Sequence, residues 1–119
     1  MQDIKVLKDN DIDVDKSLEI LGDMDMYNEL LNDFLEVSSE RMPRLEESFN
    51  NRDMNNYAID VHAIKSDSKY LGFTKLAEMA LEHQLKSEDN DIDYINSHYD
   101  EFISEVNRII NLVGEYLNS

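Results

Sequence analysis

The chain has no cysteine and no tryptophan, and only one proline and three glycines in 119 residues. Without thiols there is neither a disulfide framework nor a thiolate metal site. No apolar run approaches the ~20 residues that a membrane span requires. Met1 to Asp15 is polar and acidic, where a secretory leader carries an apolar core. Bases are scarce as well: 11 Lys and Arg against 27 Asp and Glu give a formal net charge of −16. A field of that sign repels nucleic acid and anionic membranes and argues against charge-driven binding to either. A cytoplasmic protein is the expectation.

A chain of this length buries roughly two-thirds of its unfolded surface, enough for one domain with one core, and a monomer is expected. Apolar residues recur at three and four spacing almost everywhere, and no strand pattern competes, so the chain reads as all-α. Residues 1–12 read as a loose acidic arm, with the helical domain occupying 13–119. Asp13 is positioned to cap a short helix that Gly22 ends after Leu21. A long helix follows from about Met24 to Phe49, with Tyr27, Leu31, Phe34, Leu45 and Phe49 on one stripe. Pro43 is expected to kink or split it between Ser38 and Met42.

A third helix is predicted to start after Asp53 and run to Leu71, with Gly72 as its left-handed stop. Thr74 is read as the cap of a fourth helix running to about Ser87, and Asp89 or Asp91 as the cap of the last. That last helix carries Ile95, Phe102, Val106, Ile109 and Val113 in the alternation of a bundle seam. Four main amphipathic helices on short connections make an antiparallel four-helix bundle with a short extra N-terminal helix.

Asp-Asn-Asp-Ile-Asp occurs twice, at 9–13 and 89–93. Alternating acids suggest a calcium loop, but Val14 and Tyr94 stand where such a loop needs glycine, and Ile20 and Asp100 where it needs glutamate. Each copy is better suited to capping a helix, its charge at the positive end of the dipole.

Phasing the third helix puts Met54, Tyr57, Val61, Ile64, Ser68 and Leu71 on the buried stripe. His62 falls about 120° away, facing outward. Its surroundings are small or basic: Ala58 and Ser66 leave the ring uncovered, while Lys65 and Lys69 can neutralise an anion on it. His62 to Lys75 carries a local charge of +2 in this acidic chain. On the fourth helix, the apolar stripe of Leu76, Ala77, Ala80 and Leu81 has Gln84 near its middle, where a buried amide needs a partner. His62 lies ten residues before Gly72 and Gln84 ten after Thr74, each ~15 Å along its helix, so a hairpin brings them level. An amide oxygen accepting from one ring nitrogen leaves the other nitrogen's lone pair free, as a nucleophile requires. Gln84 bonded to a backbone carbonyl, or lying at the stripe's edge, is the structural alternative. His83 and His98 read as solvated or half-buried.

The run from His62 to Gly72 resembles the signature of histidine-containing phosphotransfer (HPt) domains, His-x-x-Lys-Gly-x-Ser/Ala-x-x-Leu/Ile-Gly. His62, Lys65, Ser68, Leu71 and Gly72 match it, and Ser66 stands where the family usually has glycine. The resemblance implies that His62 is the phosphoryl acceptor, that Lys65 neutralises the phosphoryl charge, and that Gln84 orients the imidazole. It implies response-regulator receiver domains as partners, with a hybrid histidine kinase as a further one. Ile59, Ala63, Ser66 and Lys69 are the expected docking residues. No cofactor is implied for this chain, since Mg²⁺ would belong to the receiver, and no ATP-binding or kinase motif is present. The expected function is a phosphocarrier in a two-component phosphorelay rather than an enzyme. The alternative is a bundle that binds a receiver or partner helix without carrying phosphate, in which His62→Gln leaves function intact. A metal-binding bundle needs inward Glu-x-x-His pairs, which the sequence lacks.

Overall fold

The computed structural model describes residues 2–119, and among them there are six helices and no strand. These are α1 (Lys5–Lys8), α2 (Val14–Leu21), α3 (Met24–Asn50), α4 (Met54–Leu71), α5 (Thr74–Glu88) and α6 (Ile92–Leu117). The helices α3 to α6 pack in a closed ring, each against its chain neighbours and α6 back against α3. Their lengths set the 43 Å long axis, as 26 or 27 residues at ~1.5 Å per residue span about 40 Å. The shorter α2 lies against α3 and α4, and α1 against α6.

Aspartate begins four of the six helices. The carboxylates of Asp13, Asp23, Asp53 and Asp91 accept the backbone N–H of Lys16, Met26, Asn56 and Tyr94 at 2.8–3.2 Å. Each satisfies an amide with no intrahelical partner, a contribution of about 1 kcal/mol. In the two Asp-Asn-Asp-Ile-Asp copies the cap falls on the fifth residue of one and the third of the other. Similarity there is local capping chemistry.

Three boundaries differ from the sequence expectation. Residues 2–12 are not a loose arm: Leu7 and Ile12 are buried in the core, and the carbonyl of Asn10 accepts from Arg108 Nη1 at 3.2 Å. Met1, the first residue of that arm, lies outside the described residues. The α3 helix runs unbroken through Pro43, because Ser38, Arg41 and Leu45 are buried on either side of it and tertiary packing holds the register. Ser39, whose carbonyl loses its usual donor, faces solvent. Thr74 is the first residue of α5 rather than its cap; Phe73 holds the cap position without a side-chain bond, buried edge-on against Phe34 with ring centroids 5.2 Å apart.

The α4–α5 hairpin positions everything that follows. Gly72 takes φ +81°, and the N–H of Asp13 donates to its carbonyl at 2.9 Å, while Tyr27 Oη donates to the Leu71 carbonyl at 2.8 Å. Two otherwise orphaned carbonyls at the end of α4 are thereby satisfied. On the α3 side of α4, buried Asp60 accepts from Arg44 at 2.7–3.2 Å, and Asp67 pairs with Arg41 at 3.0 Å. His62 lies on the other side of the buried stripe, toward α5.

Candidate functional site

All six stripe residues expected on α4 are buried, which leaves His62 at ~100° from Val61 at the exposed edge facing α5. The connection between α4 and α5 is two residues long, Gly72 and Phe73, and folds α5 back along α4. The two helices consequently run side by side, and His62 meets Gln84: Nδ1 lies 3.1 Å from Oε1. Gln84 is half-buried at the edge of the α5 apolar stripe rather than in its middle. The core face of α5 is Leu76, Ala77, Ala80, His83 and Ser87, and Leu81 is 38 % exposed. Edge placement lets the amide reach the exposed ring.

The ring sits in a shallow depression lined by Asn55, Ala58, Ile59, Gln84 and Glu88. Glu88, one turn beyond Gln84, was not singled out by the sequence reading; its Oε2 accepts from Gln84 Nε2 at 3.4 Å. The i,i+4 spacing on α5 is the signal that would have found it. Of the basic residues expected near the ring, Lys65 is half-buried one turn along α4. Lys69 is exposed and lines a neighbouring groove with Lys16, Ile20, Ser68 and Leu81. Among the described residues neither lysine makes an ion pair, so both charges are available to an anion.

Ala63 and Ser66 are half-buried, and Ile59 is 65 % exposed beside the ring. Leu85 and Ile20, at 48 % and 51 %, add apolar surface on α5 and α2.

The other histidines occupy different environments. His83, expected to be solvated or half-buried, is buried. Its Nδ1 lies 2.8 Å from Tyr57 Oη, and its ring stacks on Phe102 at 4.4 Å. Desolvation pushes its pKa down to about 4, with a smaller contribution from His98. His98 is half-buried, donates from Nδ1 to the Tyr94 carbonyl at 2.9 Å and stacks on the Tyr94 ring. Their shared depression is lined also by Glu78, Glu82 and Glu101, yet among the described residues no group of three or more such side chains is placed to hold a metal ion.

Fold and site together define a helical-bundle module that presents one solvent-facing, amide-bonded imidazole on its flank. The family model described as Hpt domain matches residues 29–112, well over half the chain, and the chain belongs to that family. The match spans most of α3, all of α4 and α5 and most of α6, and so contains His62, Lys65 and Gln84, while α1 and α2 lie outside it. Neither a curated protein nor a solved structure matches the chain. Hpt domains are phosphotransfer modules of two-component signalling, phosphocarriers rather than kinases, and they interact with receiver domains. No helix among the described residues is long and apolar enough to cross a membrane.

Proposed function

We propose that this chain is a phosphorelay intermediate that accepts a phosphoryl group on His62 from a receiver-domain aspartate and passes it to the aspartate of a second receiver. The observation that carries the reading is the 3.1 Å contact between His62 Nδ1 and Gln84 Oε1. An amide oxygen only accepts, so Nδ1 carries the proton and the neutral ring holds its lone pair on Nε2. Nε2 attacks phosphorus in line; the P–N bond forms as the P–O bond of the acyl phosphate breaks, and the receiver aspartate leaves as a carboxylate. The ring becomes cationic, and its Nδ1–H continues to donate to Gln84. Transfer to the second receiver reverses these bond changes.

Positioning and charge neutralisation supply the acceleration. Lys65 offsets phosphoryl charge from the same face of α4, with Lys69 further along. Ile59 and Ala63, with Ser66 as the small residue one turn after the histidine, form the docking surface for the receiver, and Leu85 extends it. Mg²⁺ belongs to the receiver partner. The module acts as a monomer in the cytoplasm, where it meets both receivers.

A phosphorylated receiver is expected to label the wild-type chain in acid-labile, alkali-stable form and to leave His62→Gln unlabelled. Equal labelling of the two would refute the assignment. Binding of the receiver without labelling of either would favour the non-phosphorylated interaction module instead.

A further inference from the structure

The geometry points to Glu88 as a positioning residue that sets the His62 tautomer through Gln84. A glutamine side chain beside an imidazole is by itself ambiguous: turned one way its oxygen accepts from a ring N–H, turned the other its NH₂ donates to a ring lone pair. The two orientations specify opposite tautomers and move the free lone pair from one ring nitrogen to the other. Something must choose between them. Among the described residues each end of the Gln84 amide has one protein partner, His62 Nδ1 at 3.1 Å on one side and Glu88 Oε2 at 3.4 Å on the other.

A carboxylate has acceptors only, so it faces the NH₂ group, and the amide oxygen must then face His62. The chain Glu88–Gln84–His62 therefore propagates a single polarity to the ring, leaving Nε2 with its lone pair in the depression that these residues line together. Helix stability does not account for an acid here. Glu88 is the last residue of α5, where the helix dipole disfavours negative charge. It is exposed and makes no ion pair among the described residues. Its only side-chain bond among them is the one to Gln84.

The inference deepens the phosphotransfer reading and rests on it for its consequence, but the tautomer can be measured without any transfer. The test is the ¹⁵N chemical shifts of the His62 ring nitrogens in the uniformly labelled chain, recorded at a pH where the ring is neutral. Wild type is expected to show mainly the Nδ1–H form, the minor tautomer of free histidine. Glu88→Ala loses that preference and moves to the free-histidine mixture. Glu88→Gln, which keeps an acceptor but can also donate, falls between them. The rate of His62 labelling by a phosphorylated receiver declines in proportion to the lost Nδ1–H population and no further, since only the competent fraction reacts. Unchanged ring shifts in Glu88→Ala overturn the assignment, as does a wild-type ring that is mainly Nε2–H. The expected tautomer in wild type, lost in Glu88→Ala, in a chain that accepts no phosphoryl group refutes the phosphotransfer reading and supports the role of Glu88.

Discussion

Replacing Gly72 with alanine tests whether the hairpin that levels His62 with Gln84 is held by a close backbone approach. Gly72 sits at φ +81°, and a Cβ built there meets the Asp13 carbonyl oxygen at 2.4 Å and its carbon at 2.8 Å. Both atoms are backbone, so no rotamer change relieves the overlap. The left-handed conformation costs a non-glycine residue roughly 1–2 kcal/mol. Moving Asp13 away forfeits its 2.9 Å bond to the Gly72 carbonyl, about 1 kcal/mol more. The sum is about 2–3 kcal/mol, which lowers the midpoint of thermal unfolding by roughly 8–15 °C for a chain of this size.

The other two glycines are internal controls. Gly22 has φ +96° but open space around its Cβ position, so Gly22→Ala meets only the conformational cost, about 1–2 kcal/mol. Gly114 lies inside α6 with nothing near, and Gly114→Ala stabilises by roughly 0.5–1 kcal/mol. Far-UV circular dichroism melts of the three variants give the ordering directly. A Gly72→Ala variant no less stable than Gly22→Ala would refute the argument from close approach.

Lys65→Ala removes the charge proposed to offset that of the incoming phosphoryl group. Loss of one charge-assisted contact, ~1.5–3 kcal/mol, slows labelling of His62 at least about tenfold in a stopped transfer assay, with the thermal midpoint little changed. Ser66→Gly is expected to speed transfer by easing the receiver's approach, while costing about 0.5 kcal/mol of stability for glycine in place of serine inside a helix; a slower transfer would show that the serine is a contact and not an obstacle. His83 supplies a pH dependence. Its folded pKa of about 4 lies below the unfolded value of 6.5, so the unfolded chain binds more protons between those values and stability falls as pH drops through the window. The full loss is ~3 kcal/mol. In chemical denaturation, the stability difference between wild type and His83→Gln should change by about that amount between pH 6.5 and pH 4, carboxylate titration being common to both.

The helices were legible because their caps and stripes are local. Aspartates stand before four of them, and the α4 and α6 stripes are regular enough to phase from the sequence. The level match of His62 with Gln84 was legible for the same reason, since a left-handed Gly72 fixes where the chain reverses. What escaped is what depends on contacts distant in sequence. Leu7 and Ile12 sit in a segment too short and acidic to show a periodicity, and their burial is secured by α1 packing on α6 and by Arg108. His83 continues the line of Leu76, Ala80 and Ser87, but a polar residue is assigned to solvent until Tyr57 and Phe102 are known to receive it. Choosing Leu81 over His83 rotated the α5 stripe and put Gln84 at its centre, whereas the structure has it at the edge. Pro43 behaved differently from its local rule because buried residues on both sides hold α3 together.

The most direct test of the central claim is to find the phosphorylated residue by fragmentation mass spectrometry under alkaline conditions after incubation with a phosphorylated receiver. The chain has three histidines, and their environments differ: His62 is exposed and amide-bonded, His83 buried against Tyr57, His98 stacked on Tyr94. One phosphoryl group is expected, on the segment containing His62 and on no other. A phosphoryl group on His98 or on any other residue, with His62 unmodified, would contradict it.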